Sequence, residues 1–359
     1  MTTFRVAVVG TGSISQFWLP LLRDRPDTDL VALVEVDAEV ARGAAERDGV
    51  SAPVFRTLEG AVEATAPDVV VNLTPPEWHR PVVETALGLG CHVLGEKPIA
   101  TTLEDAEALV HAAEGAGRTY AVMQNRRFEH GIRTLRDGLA AGRIGSVTML
   151  ACDFFKAPHF GGFREAMESP LLLDMAIHQF DQARFVVGVD PVAVSCHEFK
   201  PAGSWYEGRA AAICIFELAD GSVFSYRGSW SAEGFGTSWN GSWRVVGTAG
   251  TALWDGEGDP VAEIAHAPEE PDLLYPVKHA EWERTWDGPT GHAGCLDEML
   301  AAIAQGRRPE TDASDNLRSF TMVLAALTSA REGRRIELGP LIGPVSSGNE
   351  TTAAQRRRF

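Results

Sequence analysis

The feature that most constrains this chain lies near its start. An apolar run, Phe4–Val9, breaks off into Gly10-Thr11-Gly12-Ser13-Ile14-Ser15, and a helical pattern follows. A strand that ends in such a turn and feeds a helix leaves the first helical N–H groups unpaired and aimed at the turn. Gly10 permits the tight turn, Gly12 lets another group approach the backbone, and Ser15 keeps the helix–strand contact small. An acid, Glu35, closes the next strand-like run about 20 residues after Gly12. A carboxylate there accepts hydrogen bonds from ribose hydroxyls and repels a 2′-phosphate, and Val36 supplies no compensating cation. The combination predicts a dinucleotide site that takes NAD, with NADP disfavoured. Gly10, Thr11, Gly12, Ser13 and Ile14 lie at the pyrophosphate and Glu35 at the ribose.

The surrounding pattern agrees. Strand-like runs at Phe4–Val9, Leu30–Glu35, Asp68–Leu73, Cys91–Leu94 and Thr119–Met123 alternate with helical stretches, among them Ala38–Asp48, Arg80–Leu89 and Leu103–Ala116. That rhythm implies βαβ units, a parallel sheet and an α/β Rossmann domain over residues 1–123. Pro20 is expected to kink the first helix. Ligands of such sheets sit at the carboxyl ends of strands, which adds Thr74 and Pro75, Glu96, and Asn125 to the cofactor residues. After Met123 the rhythm changes. A helix (Ile132–Ala141), a strand (Ser146–Phe155) and an apolar helix (Pro170 to Val187) precede strands at Val192–Phe199, Ala210–Leu218, Ser222–Ser231 and Ser242–Leu253. Two helices (Ala293–Ala304, Ser314–Ala330) and a short strand (Arg335–Leu338) follow. Consecutive strands with short turns give an α+β domain with an antiparallel sheet over residues 124–345. Residues 346–359 are almost free of apolar side chains and read as a mobile tail.

Composition narrows the function. The formal charge of −17 argues against nucleic acid, whose phosphates need a basic face. Helix-start amides still accommodate a small anionic cofactor. Lysine occurs only at Lys97, Lys156, Lys200 and Lys278. Compositional bias explains most of that, yet a retained lysine suits a place that needs a compact ammonium. Five scattered cysteines without C-x-x-C spacing form neither a disulfide framework nor a zinc site. No apolar run approaches the ~20 residues of a membrane span, and the first residues lack a leader pattern, so a cytoplasmic location is expected.

The stretch Val69-Val70-Val71-Asn72-Leu73-Thr74-Pro75-Pro76, then His79, then Cys91-His92-Val93-Leu94-Gly95-Glu96-Lys97-Pro98 resembles a family signature. Asn125-Arg126-Arg127-Phe128 and Asp174-Met175-Ala176-Ile177-His178 extend the likeness. Together they resemble the glucose-fructose oxidoreductase / inositol dehydrogenase / rhizopine catabolism (Gfo/Idh/MocA) family. The resemblance implies two domains, the second with an open-faced antiparallel sheet, and oxidation or reduction of sugars, inositols and related polyols with NAD or NADP. It also implies Lys97, Asp174 and His178 as the catalytic trio, His79 among the cofactor residues, and a cis Lys97–Pro98 bond. The stretch Ser169-Pro170-Leu171-Leu172-Leu173 departs from the family, which often carries a glycine cluster there.

The residues support that chemistry independently. Ser169 is placed to cap a buried helix, with Pro170 in its first turn. Asp174 and His178, four apart, share a helix face, with Asp181 three further on. Alone, such a pair reads slightly better as a structural hydrogen bond; beside a cofactor site and Lys97 it reads as functional. His178 would take the hydroxyl proton, Asp174 would orient the ring, and Lys97 would stabilise the alkoxide. No metal is expected, since ligand spacing is missing. Arg127, Phe155, Lys156 and His159 are candidate substrate contacts, with Lys97 and His178. Trp230, Trp239 and Trp243 read as core or interface before carbohydrate platform.

The leading expectation is an NAD-dependent dehydrogenase of a sugar, inositol or sugar derivative. A glycosidase using NAD in a transient oxidation and a non-catalytic sugar or dinucleotide sensor stay open. The exposed face of the second sheet is expected to build a homodimer or homotetramer, with Trp230 and Trp243 contributing.

Overall fold

The computed structural model describes residues 3–268 and 273–339. Six short strands form the first sheet: β1 (Phe4–Val9), β2 (Thr28–Val34), β3 (Val54–Phe55), β4 (Val69–Asn72), β5 (His92–Gly95) and β6 (Tyr120–Val122). Between them run α1 (Ser15–Asp24), α2 (Ala38–Asp48), α3 (Leu58–Thr65), α4 (His79–Gly88) and α5 (Leu103–Ala116). All pairings are parallel, in the order β3-β2-β1-β4-β5-β6. That is the Rossmann order, reversing between β1 and β4. Helices cover both faces, so the strands are apolar on both sides, as Val6, Ala7 and Val8 are. Side-chain oxygens start the helices: Asp37 accepts from Glu39 N and Thr102 from Asp105 N. α1 runs on through Pro20. β3, two residues long, is too short to leave a periodic signal.

The chain crosses over through a 3₁₀ turn at Asn125–Arg127 and α6 (His130–Ala140). It then builds β7 (Val147–Phe155) and α7 (Phe163–Ala166), a π-helical segment at Leu171–Ala176, and α8 (Ile177–Val187). β8 (Pro191–Phe199), β9 (Ala211–Leu218), β10 (Val223–Ser229), β11 (Ser242–Gly247), β12 (Gly250–Trp254), β13 (Val261–Ala265) and β14 (Val277–Glu281) follow. The helices α9 (Gly291–Gln305) and α10 (Ala313–Glu332) lead to β15 (Ile336–Glu337). The second sheet has the order β14-β13-β12-β11-β7-β10-β9-β8-β15. It is antiparallel except where β7 and β10 run parallel.

Several expectations need correction. The run Ser242–Leu253 is two strands, because Gly247-Thr248-Ala249-Gly250 turns the chain back on itself. β13 and β14 add two strands whose mixed polarity hid them. The helix from Pro170 to Val187 is two helices, because its first part is wound as a π-helix. Ser169 caps nothing there: its hydroxyl donates to Glu198 Oε2 at 2.9 Å. The proposed tail, 346–359, lies outside the described residues, as do 340–345 of the second domain.

One apolar core joins the sheets, running from Ala7 and Val93 through Ile132, Phe180 and Val323 to Phe216 and Phe224. The opposite face of the second sheet is uncovered, with Ile213 44% and Ile215 49% exposed. Trp230 and Trp243 are buried on the covered side, so neither belongs to the open face. Among the described residues no helix is long and apolar enough to cross a membrane.

Candidate active site

The carboxyl edge of the first sheet opens on a cradle of backbone donors. Gly10 has φ +88°, and a Cβ there would come within 3.0 Å of the Leu73 and Thr74 backbone. A Cβ on Gly12 would meet nothing within 4 Å, so open space lies over the turn. α1 starts at Ile14 with no side-chain cap and no acid in its first turn. The Ser15 and Phe17 amides bond back to Gly12 O and Ile14 O at 3.1 Å, and no side chain caps the helix start on that side, which fits a pyrophosphate. Ser15 is buried and its hydroxyl donates to Gly12 O at 2.8 Å, so the small side chain closes the turn. Glu35 Oε2 accepts from Thr11 N at 2.9 Å, and Oε1 accepts from Val36 N at 2.9 Å. The half-buried carboxylate thus stands fixed beside the turn. These groups fit a dinucleotide.

The neighbouring loops are braced from within. Asn72 Oδ1 accepts from Thr74 N at 3.1 Å and Thr74 Oγ1 at 2.7 Å. His79 is buried, with Nδ1 2.8 Å from Pro98 O and Nε2 2.9 Å from Thr74 O. Each ring nitrogen faces a backbone carbonyl, so the ring braces the two loops against each other. Pro75 is exposed beside Thr74, and the Lys97–Pro98 bond is cis. Glu96 is buried too: Oε1 accepts from Trp18 Nε1 at 2.9 Å, and Oε2 from Lys97 N at 3.3 Å. Burial raises its carboxyl, but His292, Trp18 and Lys97 override that and hold it below the ordinary range. Asn125 Nδ2 lies 3.5 Å from His292 Nδ1. His292 has no counterpart among the sequence expectations, since it sits at the start of α9 with no motif around it.

Lys97 follows β5 and reaches the π-helical segment. Its Nζ donates to Asp174 Oδ1 at 2.7 Å and to Asp174 O at 2.8 Å. Arg164, from α7, donates through Nε to Asp174 Oδ2 at 2.8 Å. Burial would raise the Asp174 carboxyl, but these two cations hold it far below the usual carboxylate range. Both oxygens are thereby taken, and His178 Nδ1 has no partner among the described residues. The π winding ends at Ala176, between Asp174 and His178. Asp174 therefore fixes the lysine rather than the imidazole. His178 is 6% exposed. Burial first, then the charges of Lys97 and Arg126, hold its pKa well below the ordinary 6.5, so the ring is neutral at neutral pH.

The two neighbouring arginines are held very differently. Arg127 is 5% exposed and forks onto Asp181 at 2.6 and 2.7 Å, with Asp315 at 2.5 Å and Glu310 O at 2.7 Å. It is a structural clamp between α8 and α10. Arg126 lies next to His178, with Nη1 2.9 Å from Asn240 Oδ1 and Nε buried without a partner. Lys156, half-buried just past β7, holds its Nζ 5.5 Å over the Trp239 ring. His159 is exposed, stacked on Trp205 at 3.8 Å, with Nε2 3.2 Å from Glu233 Oε1. Phe155 ends β7, its N–H donating to Thr237 Oγ1 at 3.1 Å. Arg164 has no motif around it, and within Asn125–Phe128 nothing local marks the different surroundings of Arg126 and Arg127.

Residues 4–124 match the oxidoreductase family with an NAD-binding Rossmann fold, and residues 132–253 match the GFO/IDH/MocA C-terminal domain. The 1,5-anhydro-D-fructose reductase of Ensifer adhaerens is 33% identical, covering 93% of this chain and 98% of its own. The D-apiose dehydrogenase of Paraburkholderia graminis is 28% identical over 99% of this chain and 95% of its own. An Agrobacterium radiobacter oxidoreductase, solved in complex with NAD+, L-tartaric acid and magnesium, superposes with a TM-score of 0.81. Its identity is 20%, covering 94% of this chain and 98% of that one. Both halves and the order of their elements agree, and the chain belongs to the Gfo/Idh/MocA family of NAD-binding oxidoreductases.

Proposed function

We propose that this chain is an NAD-dependent dehydrogenase that oxidises a ring hydroxyl of a sugar, inositol or sugar derivative. The observation that carries the reading is the Lys97–Asp174 pair beside a buried, neutral His178, at the strand edge where the glycine cradle opens. Relatives named for an anhydro-sugar and a branched pentose support the substrate class. Gly10–Ile14 and Glu35 would hold NAD, which would supply the hydride acceptor for the substrate carbon. The rest is done by this chain's side chains. His178, neutral, accepts the hydroxyl proton. Lys97, its ammonium pinned by Asp174, stabilises the developing alkoxide. Asp174 is a positioning residue, with Arg164 holding its second oxygen. Glu35, fixed by backbone amides, favours NAD over NADP by repelling a 2′-phosphate.

In this reading residues 1–123 serve the dinucleotide and 124–345 serve substrate and assembly. The uncovered sheet face around Met149, Ile213 and Ile215 supports a homo-oligomer. Five free cysteines accord with a reducing cytoplasm. The decisive experiment screens aldoses, inositols and glycosides for NADH formation. NADH from at least one ring polyol, with weaker or no turnover on NADP, is expected. Tight NAD binding without turnover of any polyol or sugar would overturn the reading.

A further inference from the structure

The cleft beside Asp174 holds more positive charge than its carboxylates pair off. Asp174 matches Lys97 and Arg164. Arg126 and Lys156 form no ion pair among the described residues; their side chains meet only Asn240 Oδ1 and the face of Trp239. Glu129, next along the helix start, is near enough to act on Arg126 through space but makes no ion pair with it. A mostly buried guanidinium without a counter-ion is costly, and this chain has 49 acids for 32 lysines and arginines. Arg127, one residue on, has two carboxylates to itself. The missing partner is therefore a property of the site.

The cofactor's phosphates do not fill the role. Their cradle follows β1, whereas Arg126 follows β6, three strands along the sheet and about 14 Å away at ordinary strand spacing. The nicotinamide ring carries no negative charge. Both unpaired cations reach the Trp239–Asn240 stretch. Asn240, which accepts from Arg126, follows Trp239, over which Lys156 sits. Gln179, next to His178, donates to Trp239 O at 3.4 Å. Phe160, 6.5 Å from Trp239, lies 5.3 Å under Arg164. A sugar ring stacked on Trp239 with one hydroxyl at His178 would thus have a cation at either flank.

Resting on the dehydrogenase reading above, we propose that the substrate carries a carboxylate, as a uronic acid does, and that Arg126 and Lys156 bind it across the face of Trp239. Two single cations suit a monoanion; a phosphate dianion calls for more charge or a cluster of backbone amides, and the cradle for that is at Gly12.

The test titrates NAD-loaded enzyme by calorimetry, and follows NADH, with D-glucuronate and D-galacturonate against D-glucose, D-galactose and glucose 6-phosphate. The acids are expected to bind about 10- to 100-fold more tightly than the neutral sugars. The advantage shrinks as salt is added. Lys156→Gln and Arg126→Gln each lower the acid-to-neutral ratio by about tenfold while NAD affinity holds. If Arg126→Gln does not fold, Lys156→Gln and the salt dependence decide. Neutral sugars or the sugar phosphate binding as well as the acids, with NADH formed, overturns the carboxylate and leaves the dehydrogenase standing. No binding and no NADH from any of them overturns both.

Discussion

The two ends of the cleft are made of different material. At Gly10–Ile14 the donors are backbone amides, and Glu35 is the one carboxylate bonded to the turn among the described residues. At the other end the groups are side chains from separate stretches: Lys97 after β5, Arg126 after β6, Arg164 in α7 and His178 in α8. A backbone site depends on what is absent, since Gly12 works by having no Cβ. A side-chain site depends on which partner holds each group, as the contrast between Arg126 and Arg127 shows. The first kind is tolerant of composition and intolerant of bulk. The second is the reverse.

The largest effects belong to the side-chain end. His178→Ala is expected to lower kcat by 10²- to 10⁴-fold by removing the base, about what such groups contribute. Lys97→Ala costs a comparable factor, through the alkoxide. NAD affinity should stay within about twofold in both, because the cradle lies elsewhere. Asp174→Asn does less, since it loosens Lys97 without removing it. With His178 held below 6.5, kcat/KM stays level as pH falls through the ordinary histidine range and drops only below it. Steady-state rates across pH, with NAD titrations alongside, check all of this. Loss of NAD binding in His178→Ala would break the contrast between the two ends.

Next in size come two glycines two positions apart. Gly12→Val places its side chain where a Cβ meets nothing in the free protein. Its unfolding midpoint is expected to hold while the NAD dissociation constant rises about 10- to 100-fold, because the backbone can no longer approach the pyrophosphate. Gly10→Ala meets the Leu73 backbone at 3.0 Å with φ at +88°. It should lose about 1–3 kcal/mol of stability before any ligand is added. Denaturant melts with and without NAD separate the two. Equal stability losses would mean that the open space over Gly12 is not the binding surface.

The same contrast explains what the sequence disclosed. The glycine turn, Glu35 and the strand rhythm of the first sheet were legible because a backbone site needs residues at fixed local spacing. Lys97 and His178 were legible through short motifs. The partner of Asp174 was not: an α spacing of four pointed it at His178, and nothing local announces a π-helix. Ser169 looked like a cap and is instead bound to Glu198 across the sheet. The clamp around Arg127 was hidden for a related reason, since Asp181 and Asp315 reach it from 54 and 188 residues away. Buried pairing over such separations leaves no periodicity to read.

The smallest effect concerns the floor beneath the side-chain end. Glu198, on β8, accepts from Ser169 just before the π-helical segment, and its Oε1 is buried without a partner. Burial pushes its carboxyl up to about 7, with Ser169 and Arg209 opposing the shift. The unfolded chain releases that proton near 4.5. A raised carboxyl contributes stability that is fully present below the unfolded value and lost as pH rises toward the folded one. Stability should therefore fall between pH 4.5 and about 7, by roughly 1–3 kcal/mol. Glu198→Gln keeps the bond to Ser169 and cannot ionise, so its stability should be flat over that window and exceed the parent's above it. Turnover should stay within about twofold, because Asp174 is held by Lys97 and Arg164 rather than from below. Urea denaturation at a series of pH values, on parent and variant, reads the difference. Parallel curves would show that Glu198 is charged at low pH in the fold. The side-chain end would then be as insensitive to proton uptake as the glycine cradle opposite it.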